Sequence, residues 1–134
     1  MIKYMLDTNT CIYVIKKKPA DVIDRLRHAR ISEVGISSIT LSELEYGVSK
    51  SSKPAQNQIA LAQFLAPLEI PAYGGEAAQH YGRIRALLEK RGTPIGSLDT
   101  LIAAHALSRD CILVTNNEKE FKRVPNLKME NWAK

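Results

Sequence analysis

The sequence lacks the features that would assign it to a membrane or secreted class. No stretch approaches the roughly 20 uninterrupted apolar residues that a membrane span needs, and the first apolar run meets an acid at Asp7, too soon for a signal peptide. Only two cysteines are present, Cys11 and Cys111, and neither has the Cys/His spacing of a zinc site. We therefore expect a cytoplasmic protein with reduced, packed cysteines.

Length and charge limit the domain organisation and the partners of the chain. Its 134 residues, 45% of them hydrophobic and 25% charged, supply one core and are too few for two ordinary domains, so we expect a single domain over residues 1–134. The net charge of +5 favours an acidic partner such as nucleic acid. The basic segments Lys16–Lys18 and Arg25–Arg30 are suited either to RNA contact or to a solvated surface.

Short apolar runs that are typical of strands alternate with helical stretches along the chain. The strand-like runs are Ile2–Leu6, Val34–Ser37, Leu68–Ile70 and Cys111–Thr115. A helix is predicted directly after Asp7. Further helices are predicted, from apolar spacing or helix-start signals, in residues 22–26, 40–48, 56–66, 77–88, 97–107 and 117–121. This alternation predicts an α/β fold with a mostly parallel central sheet of about 4–5 strands flanked by helices.

Polar side chains follow the strand-like runs or begin the helices. Asp7 directly follows the first run and the turn Thr115–Asn117 follows the last, whereas Glu43 and Asp99 lie near the first turns of two predicted helices. In an open α/β sheet, groups beyond the carboxyl ends of the strands meet in one crevice. If both helix starts face that crevice, these separate segments bring their oxygen atoms together there.

Each acidic residue also has a purely structural interpretation. Glu43 fits a capping box with Thr40, Asp99 would complement the positive end of a helix dipole, and Asp7 is suited to cap a helix. However, Asp7 and Asp99 adjoin strongly apolar segments, where an unpaired carboxylate is costly to desolvate, and no lysine or arginine directly follows a strand end. A divalent cation with oxygen ligands is the usual remedy for such a cluster of like charges.

Four motifs occur in order along nearly the whole chain. They are Met5-Leu6-Asp7-Thr8-Asn9, Ser37-x-x-Thr40-x-x-Glu43-x-x-Tyr46-Gly47, Ile95-Gly96-x-x-Asp99-x-x-Ile102-Ala103-x-His105-Ala106 and Leu113-Val114-Thr115-Asn116-Asn117-x-x-x-Phe121. The set resembles the PIN-domain family, and most closely its VapC toxin branch. Each motif alone is common, but four motifs at compatible spacing are specific.

The resemblance implies a Mg²⁺- or Mn²⁺-dependent endoribonuclease of a toxin–antitoxin system, held inactive by a co-expressed VapB-like antitoxin. It also implies a homodimer and, by analogy with several relatives, cleavage of structured RNA such as initiator tRNA near the anticodon. Asp7, Glu43 and Asp99 match three acidic positions of the family. At the fourth position the family often carries Asp where this chain has Asn117, while Glu120 lies one helical turn further on. Either residue would complete the site, or both belong to a surface turn.

The residue types suggest roles within such a site. We predict that Asp7 and Asp99 bind the metal and that Glu43 binds it through water or orients the attacking water. Side chains suited to supporting or phosphate contacts are those of Thr8, Asn9 and Thr115. Because no pair of histidines is placed to drive attack by the RNA 2′-hydroxyl, the predicted products carry a 5′-phosphate and a 3′-hydroxyl.

Two other functions fit part of the pattern. A phosphohydrolase of the haloacid-dehalogenase type also has an Asp after its first strand, but it needs a second Asp two residues later, where this chain has Asn9. A non-catalytic RNA-binding or interaction module with the same fold would be marked by the loss of an acidic position, whereas Asp7, Glu43 and Asp99 are all present.

Overall fold

A four-stranded parallel sheet forms the centre of the structure, a computed structural model that describes residues 1–134. The strands are β1 (Tyr4–Leu6), β2 (Val34–Gly35), β3 (Ile112–Val114) and β4 (Met129–Glu130), and they lie side by side in the order β2-β1-β3-β4. Leu6 pairs with Val114, so the carboxyl ends of the two central strands are direct neighbours. The predicted α/β class with a parallel sheet is confirmed.

Seven α-helices connect the strands. They are α1 (Thr8–Lys16), α2 (Ala20–His28), α3 (Ser38–Ser49), α4 (Pro54–Leu65), α5 (Gly75–Lys90), α6 (Ser97–Ser108) and α7 (Glu118–Phe121). Proline at the start of α4 suits the first turn of a helix, where a backbone N–H has no partner to lose. No helix combines the length and the apolar character that crossing a membrane requires.

The two faces of the sheet pack against separate hydrophobic clusters. Because side chains alternate along a strand, Met5 and Leu113 lie in a cluster with α5, α6 and α7, whereas Leu6 and Val114 lie in a second cluster with α1 to α4. Trp132 extends the second cluster and packs edge-on against Tyr4, with ring centroids 5.3 Å apart. The central strands are thus buried on both sides, as their continuously apolar sequence predicts.

Two short strand segments differ from the sequence prediction. The predicted edge strand Leu68–Ile70 contributes only a single parallel bridge, between Glu69 and Gly35, because the segment lies between two prolines that cannot donate backbone hydrogen bonds. A Cβ atom on Gly35 would lie 2.5 Å from the Glu69 carbonyl oxygen, so this close approach requires glycine. β4 is two residues long and carries too little periodicity to be predicted.

Candidate acidic site at the carboxyl edge of the sheet

Asp7 lies directly after β1 and begins α1. Its Oδ1 accepts a hydrogen bond from the Thr10 backbone N–H at 2.9 Å, so the predicted helix-capping role is confirmed. The carboxylate is only 5% exposed. Burial raises the pKa of Asp7, and hydrogen bonds from Thr115 and Thr10 oppose the rise. The residue therefore both caps α1 and presents a desolvated carboxylate where two central strands end.

Glu43 lies well inside α3, and the predicted capping box with Thr40 is wrong. Ser37 caps this helix instead, since its Oγ accepts a hydrogen bond from the Ile39 N–H at 3.0 Å and the helix starts at Ser38. The Glu43 carboxylate is half-buried and accepts a hydrogen bond from the Thr8 hydroxyl at 2.6 Å. The carboxylate is thus oriented by α1, one residue beyond Asp7.

Asp99 is the third residue of α6, and the other acidic side chains act on it. Burial, a hydrogen bond shared with Glu120, and the charges of Glu120, Asp7 and Glu43 raise the pKa of Asp99 to about 7. Asp99 and Glu120 border the same glycine: a Cβ atom on Gly96 would lie 3.6 Å from Asp99 Oδ2 and 3.7 Å from Glu120 Oε1. The fold therefore brings Asp7, at the start of α1, and carboxylates from α3 and α7 near enough for their charges to act on Asp99.

Glu120 and Asn117 occupy different places relative to this cluster. The Gly96 N–H donates to Glu120 Oε1 at 3.0 Å, and the Asn117 amide donates to Glu120 Oε2 at 2.9 Å. Burial favours a raised pKa for Glu120, but these hydrogen bonds, the one from Asp99 and the charge of Arg123 outweigh it and lower the pKa. Glu120 is thus the carboxylate that meets Asp99, and Asn117 lies behind it and orients it.

The three predicted supporting residues differ in their contacts. Thr8 donates to Glu43, and Thr115 contacts Asp7 while its Oγ1 accepts a hydrogen bond from the Asn117 N–H at 2.9 Å. Asn9 is exposed on α1 and its side chain has no hydrogen bond to the cluster. The sequence analysis did not identify the Gly96 N–H as a donor to the site. Its position at the start of α6, where backbone N–H groups lack partners within the helix, could have indicated it.

The donor chemistry of the cluster fits a hard divalent cation. All four side chains offer carboxylate oxygens, which Mg²⁺ and Mn²⁺ prefer, and none forms a salt bridge with lysine or arginine. Arg123, the neighbouring cation, donates to the Pro94 carbonyl at 3.1 Å. No three acidic, His or Cys side chains are close enough together to form a finished coordination sphere. The residues therefore fit such an ion by charge and donor type.

This combination of an α/β sheet with an acidic, oxygen-rich site at its carboxyl edge agrees with the comparisons to known proteins. The PIN-domain family model matches residues 4–127. Ribonuclease VapC2 of Rickettsia felis is 51% identical over 98% of this chain and 98% of its own length. The tRNA(fMet)-specific endonuclease VapC of Salmonella typhimurium is 48% identical over 99% of this chain and all of its own length.

A solved structure extends the similarity to three dimensions. The DNA-bound VapBC from Salmonella typhimurium contains a chain that is 48% identical, with a TM-score of 0.93 over 98% of this chain and 99% of that chain. The protein thus belongs to the PIN-domain nucleases, within their VapC ribonuclease branch. Membership of this family leaves the haloacid-dehalogenase hypothesis without support.

Proposed function

We propose that residues 1–134 form one PIN-like domain that acts as a divalent-metal-dependent endoribonuclease and as the toxin of a VapBC-type pair. The observation that carries this proposal is the gathering of Asp7, Glu43, Asp99 and Glu120 without a basic partner in a salt bridge. The names of the relatives, ribonuclease VapC2 and tRNA(fMet)-specific endonuclease VapC, support RNA, and specifically tRNA, as the substrate.

Within this site, we assign different roles in metal binding and water orientation to the four carboxylates. Asp7 and Asp99 would hold Mg²⁺ or Mn²⁺, Glu43 would bind it through water or orient the attacking water, and Glu120 would add a fourth carboxylate beside Asp99. Such a cation, when bound, stabilises negative charge on the phosphodiester and lowers the pKa of water. Thr8 and Asn117 hold the two glutamates in place through their hydrogen bonds.

The pKa values of Asp99 and Glu120 determine which of the two carboxyl groups carries a proton. Because the pKa of Asp99 is raised to about 7 and that of Glu120 is lowered, the shared proton lies on Asp99 in the cation-free protein below about pH 7. Asp99 would have to release that proton to hold a cation, because a carboxylate binds metal in its charged form. With water as nucleophile, the products carry a 5′-phosphate and a 3′-hydroxyl.

The partner we propose is a VapB-like antitoxin, since the similar Salmonella typhimurium structure is a VapBC complex. A groove of about 390 Å³ between α1, α3 and α4 offers an apolar surface beside Glu43 for such a partner. Its apolar lining includes Ile12, Ile15, Leu44, Val48 and Leu61. We further propose that the toxin acts in the cytoplasm, where its RNA substrate lies, and that it forms homodimers.

Cleavage of a tRNA pool tests the enzymatic proposal. The purified protein is incubated with the pool and Mg²⁺, Mn²⁺ or EDTA, and Asp7→Asn is the matched variant, because Asn keeps the cap on α1 while removing the charge. We expect cleavage with either metal, none with EDTA, and none by the variant. Metal-independent cleavage or full activity of Asp7→Asn would contradict the mechanism, and RNA binding without any cleavage would favour the non-catalytic module.

A further inference from the structure

A buried polar contact joins two of the helices that carry the acidic site. Ser37 Oγ lies 2.6 Å from His105 Nδ1, and the two side chains are 0% and 1% exposed. Ser37 caps α3 and His105 lies near the end of α6. Neither residue belongs to the acidic cluster, so the burial of this polar pair needs a separate explanation.

The surrounding hydrogen bonds assign a direction to this contact. The backbone of Ala72 accepts a proton of the His105 ring, and with that proton on Nε2 the Ser37 hydroxyl, which accepts the Ile39 N–H, donates its own proton to His105 Nδ1. Tyr73 packs edge-on against the imidazole with ring centroids 5.6 Å apart. The neutral ring is thus held on both nitrogens and on one face.

The spacing along both helices relates this contact to the carboxylates. Glu43 lies six residues after Ser37, and Asp99 lies six residues before His105. Six residues of helix span about 9 Å. Helix α3 packs against α6, and the charge of Glu43 acts on Asp99, so both carboxylates lie about 9 Å along these helices from the ends that Ser37 and His105 join.

We propose, on the basis of the function proposed above, that the Ser37–His105 hydrogen bond is a positioning contact that sets the separation of Glu43 and Asp99 and thereby the affinity of the site for a divalent cation. The two carboxylates repel one another. A fixed contact one helical segment away opposes their separation and keeps both within reach of one ion.

Two substitutions of His105 separate this role from simple packing. In His105→Asn, the amide oxygen takes the place of Nδ1 and still accepts from Ser37. In His105→Gln, the longer side chain carries its amide toward the position of Nε2 and loses the contact with Ser37. Both variants remove the aromatic ring from the same buried place, so their losses of packing are comparable.

The test measures Mn²⁺ binding by electron paramagnetic resonance, together with thermal unfolding in EDTA. We expect His105→Gln to weaken Mn²⁺ binding about tenfold and His105→Asn by less than about threefold, with similar decreases in Tm. Equal losses of affinity in both variants, or unchanged affinity in His105→Gln, would overturn the positioning role. Absence of Mn²⁺ binding by the wild-type protein would instead contradict the proposed metal-dependent function.

A double-mutant cycle keeps the test decisive if one substitution prevents folding. Ser37→Ala removes the hydroxyl donor and also the cap on α3. We expect it to weaken Mn²⁺ binding at least as much as His105→Gln does, and the double variant to lose less than the sum of the two single losses. If His105→Gln does not fold, His105→Leu replaces it in the same cycle, because leucine also lacks an acceptor for the Ser37 hydroxyl and fills the buried space. Additive losses in the cycle would show that the two side chains act independently and would overturn the proposal.

Discussion

The two aspartates and the two glutamates of the acidic site are held in different ways. Asp7 and Asp99 adjoin the apolar core, and burial is the main cause of their raised pKa values. Glu43 and Glu120 extend from α3 and α7 and accept hydrogen bonds from Thr8, Gly96 and Asn117. Hydrogen bonds and the charge of Arg123 outweigh burial at Glu120, whereas burial dominates at Asp99 and at Asp7, although Asp7 accepts hydrogen bonds from Thr10 and Thr115. The charge of the aspartates is therefore the less compensated.

This difference assigns separate tasks to the two pairs. A carboxylate that lacks compensation gains most from a divalent ion, so the aspartates supply the binding energy. A carboxylate that is already hydrogen-bonded gains less but is better oriented, so the glutamates supply geometry. Substitutions that remove charge without changing shape can test this division directly.

The largest expected effect is the loss of RNA cleavage when a carboxylate of the site is replaced by an amide. We expect Asp99→Asn to lower single-turnover RNA cleavage at saturating Mn²⁺ by more than about a hundredfold, since it removes a proposed ligand, and Glu120→Gln to lower it by about tenfold to a hundredfold. Each variant replaces one carboxylate oxygen with an amide nitrogen and leaves the shape of the side chain unchanged. An equal or greater loss in Glu120→Gln would contradict the division between the pairs.

The positions of the aspartates were predictable from the sequence, but the orientation of the glutamates was not. Asp7 and Asp99 border apolar runs whose periodicity fixes where strands end and helices begin, and this pattern is local. The place of Glu43 depends on Ser37 capping α3 one turn earlier than the pattern around Thr40 predicts. The choice between Asn117 and Glu120 depends on the Gly96 N–H, which is distant in the chain and visible only in the folded structure.

The donor to Glu43 provides the next test. Thr8→Val keeps the branched shape but removes the hydroxyl that donates to Glu43 at 2.6 Å, and we expect about a tenfold loss of cleavage rate. Thr8→Ser is the control, because it keeps the donor and should retain activity within about threefold of the wild type. The same single-turnover assay measures both, and a larger loss in Thr8→Ser than in Thr8→Val would contradict the orienting role.

Replacing Asp7 with asparagine should stabilise the cation-free protein although it abolishes activity. Asp7→Asn removes a buried charge while Asn still caps α1, so we expect the free energy of unfolding in EDTA at pH 7.5 to rise by about 1–2 kcal/mol. Glu120→Gln removes a charge that hydrogen bonds stabilise, so its free energy of unfolding should stay the same or fall. Urea denaturation measures both, and destabilisation by Asp7→Asn would show that the aspartate charge is already compensated without a cation.

The smallest expected effect is a dependence of stability on pH that has opposite signs for Asp99 and Glu120. The folded-state pKa of Asp99, about 7, lies above its ordinary value of 3.8, so the folded protein binds this proton more tightly than the unfolded chain does. The contribution of Asp99 is therefore complete below about pH 4 and is lost as the pH rises toward 7. Glu120, whose pKa is lowered from 4.5, contributes stability above that pH and loses it as the pH falls further.

Urea denaturation in EDTA at pH 5 and pH 8, on the wild type and on Asp99→Asn, isolates the contribution of Asp99. We expect the wild type to lose about 1 kcal/mol relative to Asp99→Asn between these pH values, a figure reduced because solvent screens this half-buried carboxyl. Saturating Mn²⁺ should reverse the trend, since the ion binds the deprotonated carboxylate and stabilises the folded protein more at pH 8. If the two proteins differ by the same amount at both pH values, Asp99 titrates alike in the folded and unfolded chains, and the contrast between aspartates and glutamates does not extend to their protons.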